Sequence, residues 1–171
     1  AKILRNPIKE RVAGYDLVCN LLPKMAEKKQ SIFLLGAKPG VADLAAKNMA
    51  EKYKGLNIAG TNDGYFKKEG EESDAIVEKI NESGAKLLFV CLGVPVQEKW
   101  ITDNKDKLTT ARMCMCLGGS LDVWSGRTTR APKIVRRAGL EWLWRAILSP
   151  CRIARLPRIF SFAVTCLKKS H

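Results

Sequence analysis

The sequence predicts an α/β protein, a Rossmann-like, largely parallel sheet with flanking helices followed by a basic C-terminal helical appendage. Three features predict it. Short apolar runs at 32–35, 56–61, 87–92 and 112–117 alternate with stretches of helical character, the pattern of βα units feeding a parallel sheet. Each run ends in glycine, at or just beyond Gly36, Gly60, Gly93 and Gly118. The charge is also lopsided. The chain carries a net +13 on 171 residues, and from Arg127 onward eleven Lys/Arg face Glu141 alone. The expected division is therefore a core at 1–126 and a basic amphipathic appendage at 127–171.

The central strand comes first in importance. Leu87 to Leu92 is unbroken apolar sequence, as expected of a strand buried on both faces. It stops at Gly93 and Pro95, and a helix expected over 95–108 opens with Gln97, Glu98 and Trp100. Ligands in open α/β sheets collect where strands end and helices begin. Gln97 and Glu98 stand at such a point. The same residues also fit a tight turn followed by a polar first helical turn.

In chain order, 8–30 has helical spacing through Val12, Leu17, Val18, Leu21 and Leu22, with Gly14 and Pro23 opposing it and Pro23 a candidate break. Arg11, taken alone, reads as a solvated helix charge. The strand at 32–35 runs into Gly36-Ala37-Lys38-Pro39-Gly40, and a helix is expected over 41–53 on Val41, Leu44, Ala45 and Met49. Strand, glycine turn and helix form half of a nucleotide-binding unit, though only Gly36 and Gly40 of a Gly-x-Gly-x-x-Gly fingerprint are present. Lys38 and the helix start offer charge and N–H groups to a phosphate. The next strand ends in Asn62-Asp63-Gly64, a turn signal, and Ile76, Val77 and Ile80 line a helix that Gly84 stops. The fourth strand leads to Gly118-Gly119-Ser120-Leu121-Asp122. Two glycines, a hydroxyl and a carboxylate suit a ribose or sugar hydroxyl; helix capping by Ser120 with a structural Asp122 explains them equally.

Pro132 suits the first turn of a helix. Leu140, Leu143, Trp144, Ile147 and Leu148 make one apolar face that Pro150 ends, and Arg145, Arg152 and Arg155 follow at intervals of seven and three. Aromatics and leucines beside arginines suit a helix lying in a headgroup layer. The other reading is a helix packed on its own domain. A basic face points to phosphates. No nucleic-acid reading module is present, so nucleic acid is not an expected partner, although charge alone permits weak, salt-sensitive binding.

No apolar run reaches the ~20 residues of a membrane span, and no signal-peptide pattern is present. The six cysteines contain no Cys-x-x-Cys pair and the one histidine is His171, so a zinc site is not expected. Cys91, Cys114 and Cys116 read as small hydrophobes in strands, in a reducing, cytoplasmic setting without disulfides. The opening Ala1-Lys2-Ile3 reads as the middle of a longer sequence.

Taken together, these stretches resemble the WecG/TagA/CpsF family of bacterial glycosyltransferases. The matching segments are 9–17 (with Arg11), 34–42, 60–66, 92–100, 118–126, 130–132 and Gly139-Leu140-Glu141-Trp142-Leu143 with the arginines after it. The resemblance implies a peripheral enzyme on the inner face of the bacterial plasma membrane. It implies inverting transfer of N-acetylmannosamine from UDP-N-acetylmannosamine to undecaprenyl-diphosphate-linked N-acetylglucosamine, in wall teichoic acid synthesis. N-acetylmannosaminuronic acid or another hexose is the alternative donor sugar, and a non-catalytic UDP- and membrane-binding fragment the alternative role. No metal and no cofactor beyond the donor are implied, and assembly as a homo-oligomer is compatible. Arg11, Gly36, Gln97 and Asp122 match positions of the sugar-nucleotide pocket. Arg145, Arg152 and Arg155 match an appendage that engages lipid diphosphate at an anionic membrane. The family's proposed catalytic aspartate is expected before residue 1. Neither Asp63 nor Asp122 matches its position, and Val94 and Val96 stand where more polar or small residues are expected.

Overall fold

The computed structural model describes residues 12–137, 141, 143 and 144. It separates into two compact units, one spanning Val12–Thr129 and the other including the described residues from Arg130 to Trp144.

The first unit contains four strands and five helices in alternation. They are α1 (Gly14–Glu27), β1 (Ser31–Gly36), α2 (Val41–Lys52), β2 (Asn57–Asn62), α3 (Glu71–Glu82), β3 (Leu87–Cys91), α4 (Val96–Asn104), β4 (Met113–Cys116) and α5 (Ser120–Trp124). The strands pair in the order β2-β1-β3-β4, and every pairing is parallel. The predicted sheet is therefore parallel throughout its described strands.

The two central strands are buried along nearly their whole length, as their unbroken apolar runs require. Alternation sends their side chains to opposite layers. Ile32, Leu34, Leu87 and Phe89 pack with Val18 and Leu22 of α1, Val41, Ala45 and Met49 of α2, and Leu121 and Trp124 of α5. Phe33, Leu35, Leu88 and Val90 pack with Val77 and Ile80 of α3 and with Trp100 of α4. A helix–sheet–helix sandwich results.

Three local expectations change. Pro23 lies inside α1 and does not break it. α4 ends at Asn104, short of the expected 108, because the Asn104 side-chain amide donates to the Trp100 carbonyl (2.9 Å) and the next turn closes with Lys107 and Leu108 donating to the Asn104 carbonyl. Cys116 is exposed and Cys114 only half-buried, because β4 is an edge strand. Cys91 is a core hydrophobe, Cys114 packs partly against the cluster of Phe33, Leu88 and Trp100, and Cys116 stands outside the core.

In the second unit, α6 (Lys133–Arg137) follows Pro132, as that proline's position predicts. Glu141, 7% exposed, lies 3.9 Å from the Arg130 guanidinium. The acid of this basic segment is thus paired with a cation. Of the predicted apolar face only Leu143, which is exposed, and Trp144 are described; Leu140, Ile147, Leu148, Arg145, Arg152 and Arg155 lie outside the described residues, as does Arg11.

Candidate active site at the carboxyl edge of the sheet

The strand order contains a reversal. The chain leaves β1 through α2 to reach β2 on one side, then returns through α3 to place β3 on the other. The carboxyl ends of β1 and β3 therefore diverge into helices on opposite faces, and the crevice between them is where such folds bind ligands.

Gly36 closes the base of that crevice. Its φ is +130°, and a Cβ built there would lie 2.5 Å from the Cys91 carbonyl carbon and closer still to its oxygen. Only glycine permits this approach. The Ala37 N–H donates to the Cys91 carbonyl (3.3 Å), and the Gly64 N–H donates to the Ala37 carbonyl (2.8 Å). A Cβ on Gly64 would crowd Leu92 at 3.1 Å. Loops after β1, β2 and β3 are thus packed into one rim.

The β2–α3 loop is held from within. Asp63 accepts from the Tyr65 N–H (2.7 Å). Lys68 donates to the Gly64 carbonyl (2.8 Å) and to the Phe66 carbonyl, with its ammonium 3.8 Å from the centre of the Phe66 ring. Burial lowers the Lys68 pKa, with the charges of Asp63 and Glu72 opposing that effect. Nothing in the sequence pattern marks Lys68 as this clamp, since lysines after a turn are ordinarily solvated. Beside it a cavity of ≈ 230 Å³ is lined by Lys68, Glu69, Pro95, Val96, Lys99, Trp100 and Asp103. A second cavity, ≈ 390 Å³, lies at the opposite edge, among Pro23, Lys52 and Tyr53.

Beyond β3 the Val94–Pro95 peptide is cis, and Gln97 follows in the first turn of α4. Gln97 is 3% exposed. Its Oε1 accepts from the Gly118 N–H (3.1 Å), and its Nε2 donates to Glu98 Oε1 (2.8 Å). Gln97, matched to the pocket by the family resemblance, ties the loops after β3 and β4 together. Gly118, its partner, has φ +54°, a left-handed conformation that glycine adopts without the steric cost of a side chain.

Asp122 sits half-buried on the short helix α5. Its backbone carbonyl accepts from Thr128 N–H and the Ser125 hydroxyl, whereas its carboxylate has no partner among the described residues. Ser120 does not cap α5 through its side chain; its hydroxyl donates back to the Leu117 carbonyl (2.7 Å). Cys91 lies behind this helix. Burial pushes its thiol up to about 12, the Asp122 and Cys116 charges add to that, and the Leu121 and Ser120 N–H groups facing its sulfur oppose it.

Gly36, Gln97 and Asp122 are thus brought to one edge of one sheet, with Lys38 exposed on the β1–α2 turn. Among the described residues no three His, Cys, Asp or Glu are grouped to hold a metal ion, and no helix is long and apolar enough to cross a membrane.

Residues 1–171 match the glycosyl transferase WecG/TagA/CpsF family. The chain is 37% identical over 169 residues to an N-acetylglucosaminyldiphosphoundecaprenol N-acetyl-beta-D-mannosaminyltransferase of Bacillus subtilis, covering 99% of this chain and 64% of that protein. The similarly named Bacillus spizizenii protein is 36% identical over 168 residues, covering 98% of this chain and 63% of its own length. The chain therefore spans slightly less than two thirds of these relatives. With its whole length matched, the chain belongs to the WecG/TagA/CpsF family of glycosyltransferases.

Proposed function

We propose that this chain forms the sugar-nucleotide-binding part of an inverting glycosyltransferase. It would move N-acetylmannosamine from UDP-N-acetylmannosamine to undecaprenyl-diphosphate-linked N-acetylglucosamine in cell-wall polymer synthesis. The observation that carries this reading is the continuous relationship to enzymes named for that transfer, at 37% identity over 99% of the chain. The open Asp122 carboxylate beside the β1/β3 crevice supports it, because a sugar nucleotide presents vicinal hydroxyls that a carboxylate accepts well.

Inverting transfer asks for two things. A base must take the proton from the acceptor hydroxyl as it attacks the anomeric carbon, and positive charge must meet the diphosphate as UDP departs. Guanidinium groups suit the second task, since their forked donors match phosphate oxygens. Arg11 is assigned to the donor side, and Arg145, Arg152 and Arg155 to the lipid diphosphate at an anionic membrane surface. Asp63 is assigned to the β2–α3 loop, where its carboxylate accepts from the Tyr65 N–H. Asp122 is assigned to binding, with the base supplied from the part of the relatives that this chain does not span.

Transfer from UDP-N-acetylmannosamine to a lipid-diphosphate N-acetylglucosamine analogue tests the reading, with UDP binding measured in parallel. Binding is expected of this chain alone, and turnover of the chain joined to the remaining third of a relative. The second reading is a UDP- and membrane-binding fragment without catalysis, and persistent absence of turnover in the joined protein would select it. Absence of both binding and turnover would overturn the proposal.

A further inference from the structure

The tie made by Gln97 has a second end. Its Nε2 donates to one oxygen of Glu98, 2.8 Å away, while the other Glu98 oxygen has no partner among the described residues. Gln97 is buried and fixed by the Gly118 N–H, so the amide that orients Glu98 has little freedom to turn. An exposed glutamate on a first helical turn ordinarily samples several rotamers; this one is tethered. The direction of the tether is also set. Glu98 lies close enough to Cys116, the last residue of β4, for its charge to add to the burial that raises that thiol. Through Gln97, which also holds the Gly118 N–H, the Glu98 carboxylate is linked to the turn after β4 that leads to Asp122.

We propose that Glu98 is a ligand-binding carboxylate of this site, accepting hydrogen bonds from hydroxyl groups of the bound sugar nucleotide, and that Gln97 is the positioning residue that aims it. This deepens the sugar-nucleotide reading and rests on it. A carboxylate with one oxygen held by a fixed donor and the other open is prepared for a hydroxyl pair, since little conformational freedom remains to be lost on binding. Two sources offer that chemistry, the ribose and the hexose. Gln97 does not itself need to touch the ligand. Its polar atoms already serve Gly118 and Glu98, which explains how a residue so buried can matter to binding.

Calorimetric titration of this chain with UDP, 2′,3′-dideoxy-UDP and UDP-N-acetylmannosamine tests the proposal. Glu98→Gln keeps an oxygen for the Gln97 amide and removes the charge. Because the side chain is exposed, the variant is expected to melt with the wild type. A charged acceptor lost to a hydroxyl corresponds to about a tenfold weakening or more. If the ribose is the partner, Glu98→Gln weakens UDP by that factor and leaves 2′,3′-dideoxy-UDP within twofold. If the hexose is the partner, UDP is unchanged and UDP-N-acetylmannosamine weakens. Gln97→Met should reproduce the same ligand-selective loss in smaller degree, which a merely structural residue would not do. Equal weakening of all three ligands by Glu98→Gln, or of none, would overturn the assignment to Glu98. Failure of the wild-type chain to bind any of them would overturn the sugar-nucleotide reading itself, and this proposal with it.

Discussion

Gly36 and Cys91 meet where β1 and β3 separate, so closely that a single added methyl on Gly36 would overlap the Cys91 carbonyl group. The contact joins the two strands at the reversal of strand order and sets the width of the crevice between them. A Gly36→Ala substitution meets two obstacles. Its φ of +130° is a backbone conformation that L side chains rarely adopt, and the neighbour is backbone that cannot rotate aside. Strain of roughly 1–3 kcal/mol is expected from the backbone alone, with overlap adding roughly 1–3 kcal/mol more. Chemical denaturation should show a loss of that order, together with weakened UDP binding. A variant as stable as the wild type would mean that the strands part readily at this point.

α3 and α4 are joined under the sheet by a buried hydrogen bond. Trp100 is 1% exposed and its indole N–H donates to the Ser73 hydroxyl at 2.9 Å, itself 2% exposed. Ser73→Ala leaves that N–H buried without its acceptor, which costs about 1–3 kcal/mol. The shortened side chain also loosens the wall of the cavity beside Lys68 and Pro95. The expected result is a lower denaturation midpoint with unchanged dependence on denaturant. Ser73→Thr, which keeps the hydroxyl, should retain more of the hydrogen bond.

Much of this architecture was legible in the residues, and the reason is periodicity. The unbroken run through Leu88, Phe89 and Val90 leaves a strand no polar face to expose, so a two-sided sheet follows. Gly36, Gly93 and Gly118 mark the strand ends because those turns need positive φ. What could not be read is which polar atoms meet. Gln97 and Gly118 are 21 residues apart, and no local pattern announces that one side chain will take the other's N–H. Pro23 failed as a break because its position near the C-terminal part of α1 lets the helix continue through Met25 and Ala26, both of which are packed in the core. Cys116 looked like a core residue because apolar alternation does not tell an edge strand from a central one.

Asp122→Asn separates stability from binding. The carboxylate has no partner among the described residues, whereas the backbone carbonyl and the neighbouring Leu121 and Trp124 side chains hold α5 in place. The substitution preserves shape, so stability should stay within about 0.5 kcal/mol of wild type. If the carboxylate meets a sugar hydroxyl, UDP-sugar affinity should fall about tenfold or more, the loss expected of a charged hydrogen bond. A melting temperature that falls while affinity holds would assign Asp122 to the fold instead.

Cys91 supplies a dependence on pH whose sign is fixed by its surroundings. Burial holds the thiol neutral up to about 12, against a usual value of 9.0. In the unfolded chain the same thiol ionises near the usual value, so above that pH the unfolded state binds fewer protons than the folded one. Stability contributed by the neutral thiol is therefore complete below pH 9 and declines as pH rises from about 9 toward about 12. Cys91→Ala should remove this part of the alkaline decline, seen as a shallower loss of stability than wild type across that interval, even though the variant is less stable at neutral pH. The same burial predicts an order of reactivity. With the fold intact, a thiol-directed reagent should label exposed Cys116 well before Cys91, because reaction needs both access and the thiolate. Labelling of Cys91 should appear only once unfolding begins, and equal rates for the two in the native protein would show that α5 does not keep the end of β3 covered.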